Sequence, residues 1–198
     1  MSNKSGLRKN AISISLITKM AMFTAIAVAF SFIPGFPIIP VVNFIRYEFS
    51  DLPVILATFA FGTLPGVVIA VLSVFISFLL GGEGGGPYGA LMHAVAIATY
   101  AATAGLIYKY KRTMTGAIIA LIAGILTMTA IMIPANIIIT PLYTGAPKEA
   151  VIDLLLPGII PVNLAKGAIT AVLTFVSYKR IRHIMFREKP KPAQAETP

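Results

Sequence analysis

Cysteine is absent from this sequence. That excludes disulfides, thiolate-held metals and a cysteine nucleophile. Histidine occurs only as His93 and His183, too few and too separate to suggest a metal centre. Charge is scarce too. Asp, Glu, Lys and Arg make up 12% of the 198 residues, against about 25% in a typical soluble domain. No catalytic triad or paired-carboxylate acid–base system stands out. The glycine-rich stretch Gly81 to Pro87 lacks the GxxxxGK[ST] spacing of a phosphate cradle and reads as a flexible linker. The residues therefore suggest neither an enzyme nor a source of energy for uphill transport.

What the chain has in abundance is apolar sequence. Apolar residues make up 57% of it and its mean hydropathy is +0.87. Several runs reach the length needed to cross a bilayer, so the chain reads as an all-α, polytopic membrane protein. Its net charge of +9 does not require nucleic acid, because Lys and Arg gather on the cytoplasmic side of membrane proteins. The basic start (Lys4, Arg8, Lys9) leads into an apolar run from Ile12 to Ile33. A cleaved signal peptide is the alternative, but the run is long for one and shows no obvious small-residue cleavage site.

Charge placement sets the expected number of crossings. The run Leu52–Leu80 is long for one span and short for two, given about 20 residues per span. It is interrupted by Gly62-Thr-Leu-Pro65-Gly66. Read as one span, it would put the basic clusters Lys109/Lys111/Arg112 and Lys179/Arg180/Arg182/Arg187 outside. Read as two, it leaves every basic cluster in the cytoplasm. The expectation is six transmembrane helices with both termini cytoplasmic. Residues 1–182 then form one domain, and 183–198 form a disordered Pro-rich tail. Asp51 is placed to cap span 2, and Pro65 suits the first turn of span 3.

Three groups of residues carry candidate chemistry. Lys166 lies inside the last apolar run, where a cation costs about 2.5–3.5 kcal/mol at a helix centre. Asn163, Lys166, Gly167 and Thr170 share one helical face. With Asn136 they would offer donors and acceptors to a neutral ligand rich in heteroatoms. The bland alternatives are a snorkelling lysine and interhelical amide bonds. Second, the apolar connector at 38–51 should fold back on the protein. Its Phe44, Tyr47 and Phe49 could cover a flat ring, and Glu48 and Asp51 supply acceptors, unless it is an interfacial aromatic loop. Tyr143 stands in the short outer loop expected between spans 5 and 6, with Lys148, Glu149 and Asp153. Third, Ala21, Ala25 and Ala29 repeat every fourth residue on span 1, a ridge that lets another helix approach closely or packs within the bundle.

The runs Asn43-Phe44-Ile45-Arg46-Tyr47-Glu48-Phe49-Ser50-Asp51-Leu52-Pro53, Phe61-Gly62-Thr-Leu-Pro-Gly66, Asn136 with Pro141-Leu-Tyr143, and Pro161-Val-Asn163-Leu-Ala-Lys166-Gly167 resemble a known family. It is the riboflavin-binding (RibU-type) substrate-binding S-components of energy-coupling-factor (ECF) vitamin transporters. The likeness extends over residues 12 to 182. It implies an S-component-like six-helix bundle in the cell membrane, with an outward riboflavin pocket under the first outer loop. Asn136, Asn163 and Lys166 would hydrogen-bond the flavin, and Phe44, Tyr47 and Glu48 would cover it, with Tyr143 and Thr170 as further candidates. Riboflavin or FMN would be cargo rather than cofactor. The ridge Ala21/Ala25/Ala29 would dock on the ECF transmembrane coupling protein, with two cytoplasmic ATPase subunits as further partners. No nucleic acid is implied. Spans 3 and 4 depart from the family pattern at Val71-Leu-Ser73-Val-Phe-Ile-Ser77 and Met92-His93-Ala94-Val95, which leaves room for a related flavin such as FMN. An S-component for thiamine or a pyridoxine-like ring, or a membrane scaffold without a pocket, are the rival readings.

Overall fold

A glycine divides the ambiguous apolar run. In the computed structural model, helix α2 (Asp51–Phe61) ends at Gly62 and α3 (Thr63–Leu79) begins at once. Gly62 has φ of 100° and ψ of 179°, a conformation open to glycine because it lacks a Cβ. The next glycine is needed for a different reason. A Cβ on Gly66 would fall on the Thr58 hydroxyl and only 2.9 Å from Thr58 Cα, so the two helices meet here because there is no side chain between them. Pro65 does lie in the first turn of α3.

The structure describes residues 14–42, 45–82 and 85–185. Those residues form helices and loops, with one isolated bridge between Pro37 and Arg46. Besides α2 and α3 there are α1 (Ile14–Ser31), α4 (Gly86–Tyr110), α5 (Met114–Thr144), a short α6 (Lys148–Asp153) and α7 (Ile160–Met185). A π-helical turn, Leu155–Ile159, leads into α7. Four helical stretches are long and apolar enough to cross a membrane: Ile14–Ser31, Gly86–Tyr110, Met114–Leu142 and Leu155–Lys179. The helices α2 and α3 are apolar but shorter. α5 continues through Pro134 and Pro141. Thr113 starts that helix by accepting a bond from Gly116 N at 3.1 Å, a side-chain cap at a tight turn.

Helix α4 is central. It packs against α3 and α5 and also touches α2. α7 closes the bundle against α5 and α2. The main core runs through these helices and includes Ile55, Ile69, Ile97, Tyr100 and Met128. Only 11% of α1 is buried. It rests on α2 and α3 and leaves most of its surface outward.

A second apolar cluster holds the connector between α1 and α2. Val42 packs with Val151, Ile159 and Val162, flanked by Ile38, Ile39 and Ile45. Gly158 allows this seat, because a Cβ there would meet Val42 Cγ1 at 2.6 Å. The connector therefore does fold back, onto α6, the π-turn and the start of α7. Within it, Tyr47 N donates to Phe36 O at 2.9 Å. The Tyr47 ring packs against Phe36 and Phe49, with centroids 5.6 and 5.1 Å away.

One sequence expectation needs correction. Asp51 opens α2, but Ser50 occupies the capping position and no side-chain cap bond forms there. The Asp51 carboxylate is used for a tertiary contact instead.

Candidate functional site

The inward face of α7 brings its polar residues into the bundle. Asn163 is 2% exposed and Lys166 is 6% exposed, so this lysine does not snorkel to the surface. Gly167 provides the close approach, since a Cβ there would lie 2.9 Å from Ile125 of α5. Lys166 Nζ donates to Glu48 Oε2 at 2.5 Å and lies 3.7 Å from Asp51 Oδ2. One cation on α7 thus meets two carboxylates at the junction of the α1–α2 connector and α2.

His93 of α4 completes the cluster. Its Nε2 lies 2.8 Å from Asp51 Oδ1 and 3.1 Å from Glu48 Oε2. A carboxylate only accepts, so Nε2 carries the proton. Both His93 and Asp51 are buried. Sequence reasoning missed this histidine as a site residue. A detectable signal existed, because an imidazole alone in an apolar span must find a partner. The partner was not visible in sequence, because Asp51 is brought to it by the fold.

The cluster forms one wall of a cavity of about 70 Å³. Its polar lining is Arg46, Glu48, His93, Asn163 and Lys166. Ile45, Met92, Ala96 and Met132 supply apolar surface, and Gly85 and Gly89 at the start of α4 complete it. Such a lining suits a flat, partly apolar ligand with a hydrogen-bonding edge. Lys166 and Arg46 offer donors, and Glu48 and Asn163 offer acceptors.

The other expected residues fall in different places. Asn163 donates through Nδ2 to Ile159 O at 2.7 Å within its own helix. Asn136 is fully buried, and its amide is engaged within α5: Nδ2 donates to Met132 O at 2.7 Å and Oδ1 accepts from Thr140 at 3.0 Å. It is not among the residues lining the cavity, whereas Met132, one turn before it, is. Tyr47 and Thr170 are both fully buried. Their hydroxyls lie beside one another, yet neither oxygen has hydrogen-bonding geometry with any described group. Burial pushes the Tyr47 phenol above its ordinary pKa, so it remains a neutral donor at physiological pH. Phe44 lies outside the described residues, as does the side chain of Tyr143.

Glu48, Asp51 and His93 also present three possible metal-ligand atoms within 4.8 Å of one another. The two histidines had looked too separate for such a grouping, but one histidine and two carboxylates are enough to form it. The Lys166 ammonium already sits on the same carboxylates, so a resident cation balances them.

Away from the cluster residues, α1 forms an apolar groove with α3. Ala21, Ala25 and Ala29 line it, together with Val68, Leu72 and Ile76.

Comparison with known proteins gives concordant results. Residues 15–178 match the family described as ECF transporter, substrate-specific component. The chain is 33% identical over 178 residues to the riboflavin transporter RibU of Staphylococcus aureus (strain TCH60), covering 87% of this chain and 92% of the relative. It is 27% identical over 184 residues to the riboflavin transporter FmnP of Bacillus subtilis (strain 168), covering 86% and 91%. Among solved structures, the S component of a bacterial ECF transporter superposes with a TM-score of 0.76 at 30% identity, covering 87% of this chain and 98% of that one. The S-component for biotin from an ECF-type ABC transporter gives 0.57 at 19% identity over 85% and 95%. This second likeness concerns the fold alone.

Proposed function

This chain belongs to the substrate-specific components of ECF transporters, and from that premise we propose that it captures riboflavin, and FMN as a further ligand, from the outer side of the cell membrane. The relatives named above are riboflavin transporters. The observation that carries the reading is the burial of Lys166 beside Asn163 on a cavity wall, next to an α1–α2 connector seated by its own apolar cluster. Lys166 and Asn163 would hydrogen-bond the polar edge of the ring system. Tyr47 and Thr170 supply buried hydroxyls whose hydrogen-bonding geometry no described group satisfies. Glu48, with Phe44 just before it in the connector and Tyr143 from the end of α5, would cover the ligand. Asn136 would act from behind Met132, through a rotation that frees its amide.

The proposed topology has six crossings, α1 to α5 and α7, with both termini in the cytoplasm. Lys109, Lys111 and Arg112 at the α4–α5 turn and Lys179 near the end of α7 support it. A coupling protein in the membrane, with two cytoplasmic ATPases, would drive release. The alanine groove of α1 fits the docking of an apolar helix, because small residues let backbones approach closely.

The test is to purify the protein and identify the molecule that comes with it by mass spectrometry. Titration with riboflavin should quench flavin fluorescence on binding. Lys166→Ala and Asn163→Ala should each weaken it. Unchanged affinity in both variants would remove the site assignment.

A further inference from the structure

The cavity at the site is too small for its proposed occupant. It holds about 70 Å³, whereas pockets for drug-sized ligands run from about 300 Å³ upward. Something on the wall must move when a tricyclic ring enters. The group best placed to move is Glu48. It comes from the outer connector rather than from a long helix, and its side chain is 23% exposed while Lys166 and Asp51 are nearly sealed.

Moving Glu48 away from Lys166 would ordinarily be costly, because separating a buried ion pair leaves a charge uncompensated. The geometry avoids that. The same oxygen, Glu48 Oε2, lies 2.5 Å from Lys166 Nζ and 3.1 Å from His93 Nε2. One acceptor faces two donors from two helices, so either donor can leave without stranding the carboxylate. The lysine likewise retains Asp51 within 3.7 Å.

Resting on the riboflavin reading above, we propose that Glu48 occupies the ligand's place at Lys166, and that His93 is the positioning residue that holds Glu48 once the ligand displaces it. The connector then stays tied to α4 over the bound vitamin instead of swinging free. His93 acts through Glu48 and sets how long the ligand stays. Glu48 competes with the ligand and sets how readily it enters.

Stopped-flow fluorescence of riboflavin with the full-length protein in nanodiscs separates the two rates. Glu48→Gln should speed association by about 3-fold or more, because no ion pair has to be broken. His93→Leu should speed dissociation by about 10-fold, on the scale of one hydrogen bond to a charged group, and change association little. His93→Gln keeps an N–H donor and should recover most of the slow dissociation. In a Glu48→Gln background, His93→Leu should have a much smaller effect, since its target charge is gone. An equal effect in both backgrounds would overturn the proposal, because His93 would then act through packing, Asp51 or the ligand itself. Slower or unchanged association in Glu48→Gln would overturn it as well, whether or not His93→Leu yields folded protein. If the wild-type protein binds no riboflavin, the functional reading fails first; if it binds and these rates do not move as stated, only the present inference fails.

Discussion

Replacing Lys166 by Met separates two roles of one side chain. Lys166 is 6% exposed, and its ammonium stands 2.5 Å from Glu48 and 3.7 Å from Asp51. Methionine retains much of the volume and removes the charge. Two carboxylates are then left facing one imidazole. Breaking a buried pair by removing one partner costs about 3–5 kcal/mol. Partial exposure of Glu48 and the remaining His93 contacts favour the low end, about 3 kcal/mol. In a domain of this size each kcal/mol shifts the melting temperature by about 2–4 °C. Lys166→Met should therefore melt on the order of 10 °C lower in detergent, followed by the protein's own tyrosine fluorescence, and should bind riboflavin weakly. Adding Glu48→Gln should recover part of the melting temperature, because one of the two stranded charges is removed and Asp51 then has His93 to itself, but not the binding. A melting temperature unchanged by Lys166→Met would refute the claim that this cation balances buried carboxylates. Recovery of binding by the double substitution would refute its role toward the ligand.

Ala25→Leu or Ala29→Leu should fill the groove on α1 and reduce co-purification with the coupling module while leaving riboflavin titration intact; normal assembly would remove that face from the interface. Gly66→Ala would drive a methyl into Thr58 and should destabilise the α2–α3 pair by about 1–3 kcal/mol, read as a lower melting temperature. The absence of cysteine makes topology simple to test with single substitutions. Lys148→Cys should react with an impermeant maleimide in intact cells, and Lys111→Cys only after permeabilisation; the reverse pattern would invert the proposed orientation.

The sequence shows most clearly what depends on composition and local spacing. The membrane class follows from apolar runs that no soluble core needs. The division near Gly62 was visible because a Gly-Thr-Leu-Pro-Gly run interrupts an apolar stretch, and the charge clusters favoured two helices over one. Asn163 and Lys166 stood out because amides and cations are costly in lipid. The same reasoning treated Asn136 as equally available. The structure engages the Asn136 amide with Met132 and Thr140, and Asn163 Nδ2 with Ile159 O, each a neighbour one turn away. A side-chain bond to a carbonyl four residues back satisfies a buried amide locally, so polarity in a span does not by itself indicate a ligand.

The charge cluster was illegible for a different reason. Lys166 and Glu48 are 118 positions apart, and His93 and Asp51 are 42 apart. Each residue had a sensible local explanation: an N-cap, a loop acceptor, an isolated histidine, a snorkelling lysine. By itself the sequence determined that this chain lives in a membrane, where its helices fall, and that α7 carries a polar face, because hydrophobic transfer and helical periodicity act on neighbours in the chain. Only the tertiary structure decided which carboxylates that lysine meets and that a histidine shares them. Burial forces charges to find partners, but the packing of α2, α4 and α7 selects which ones.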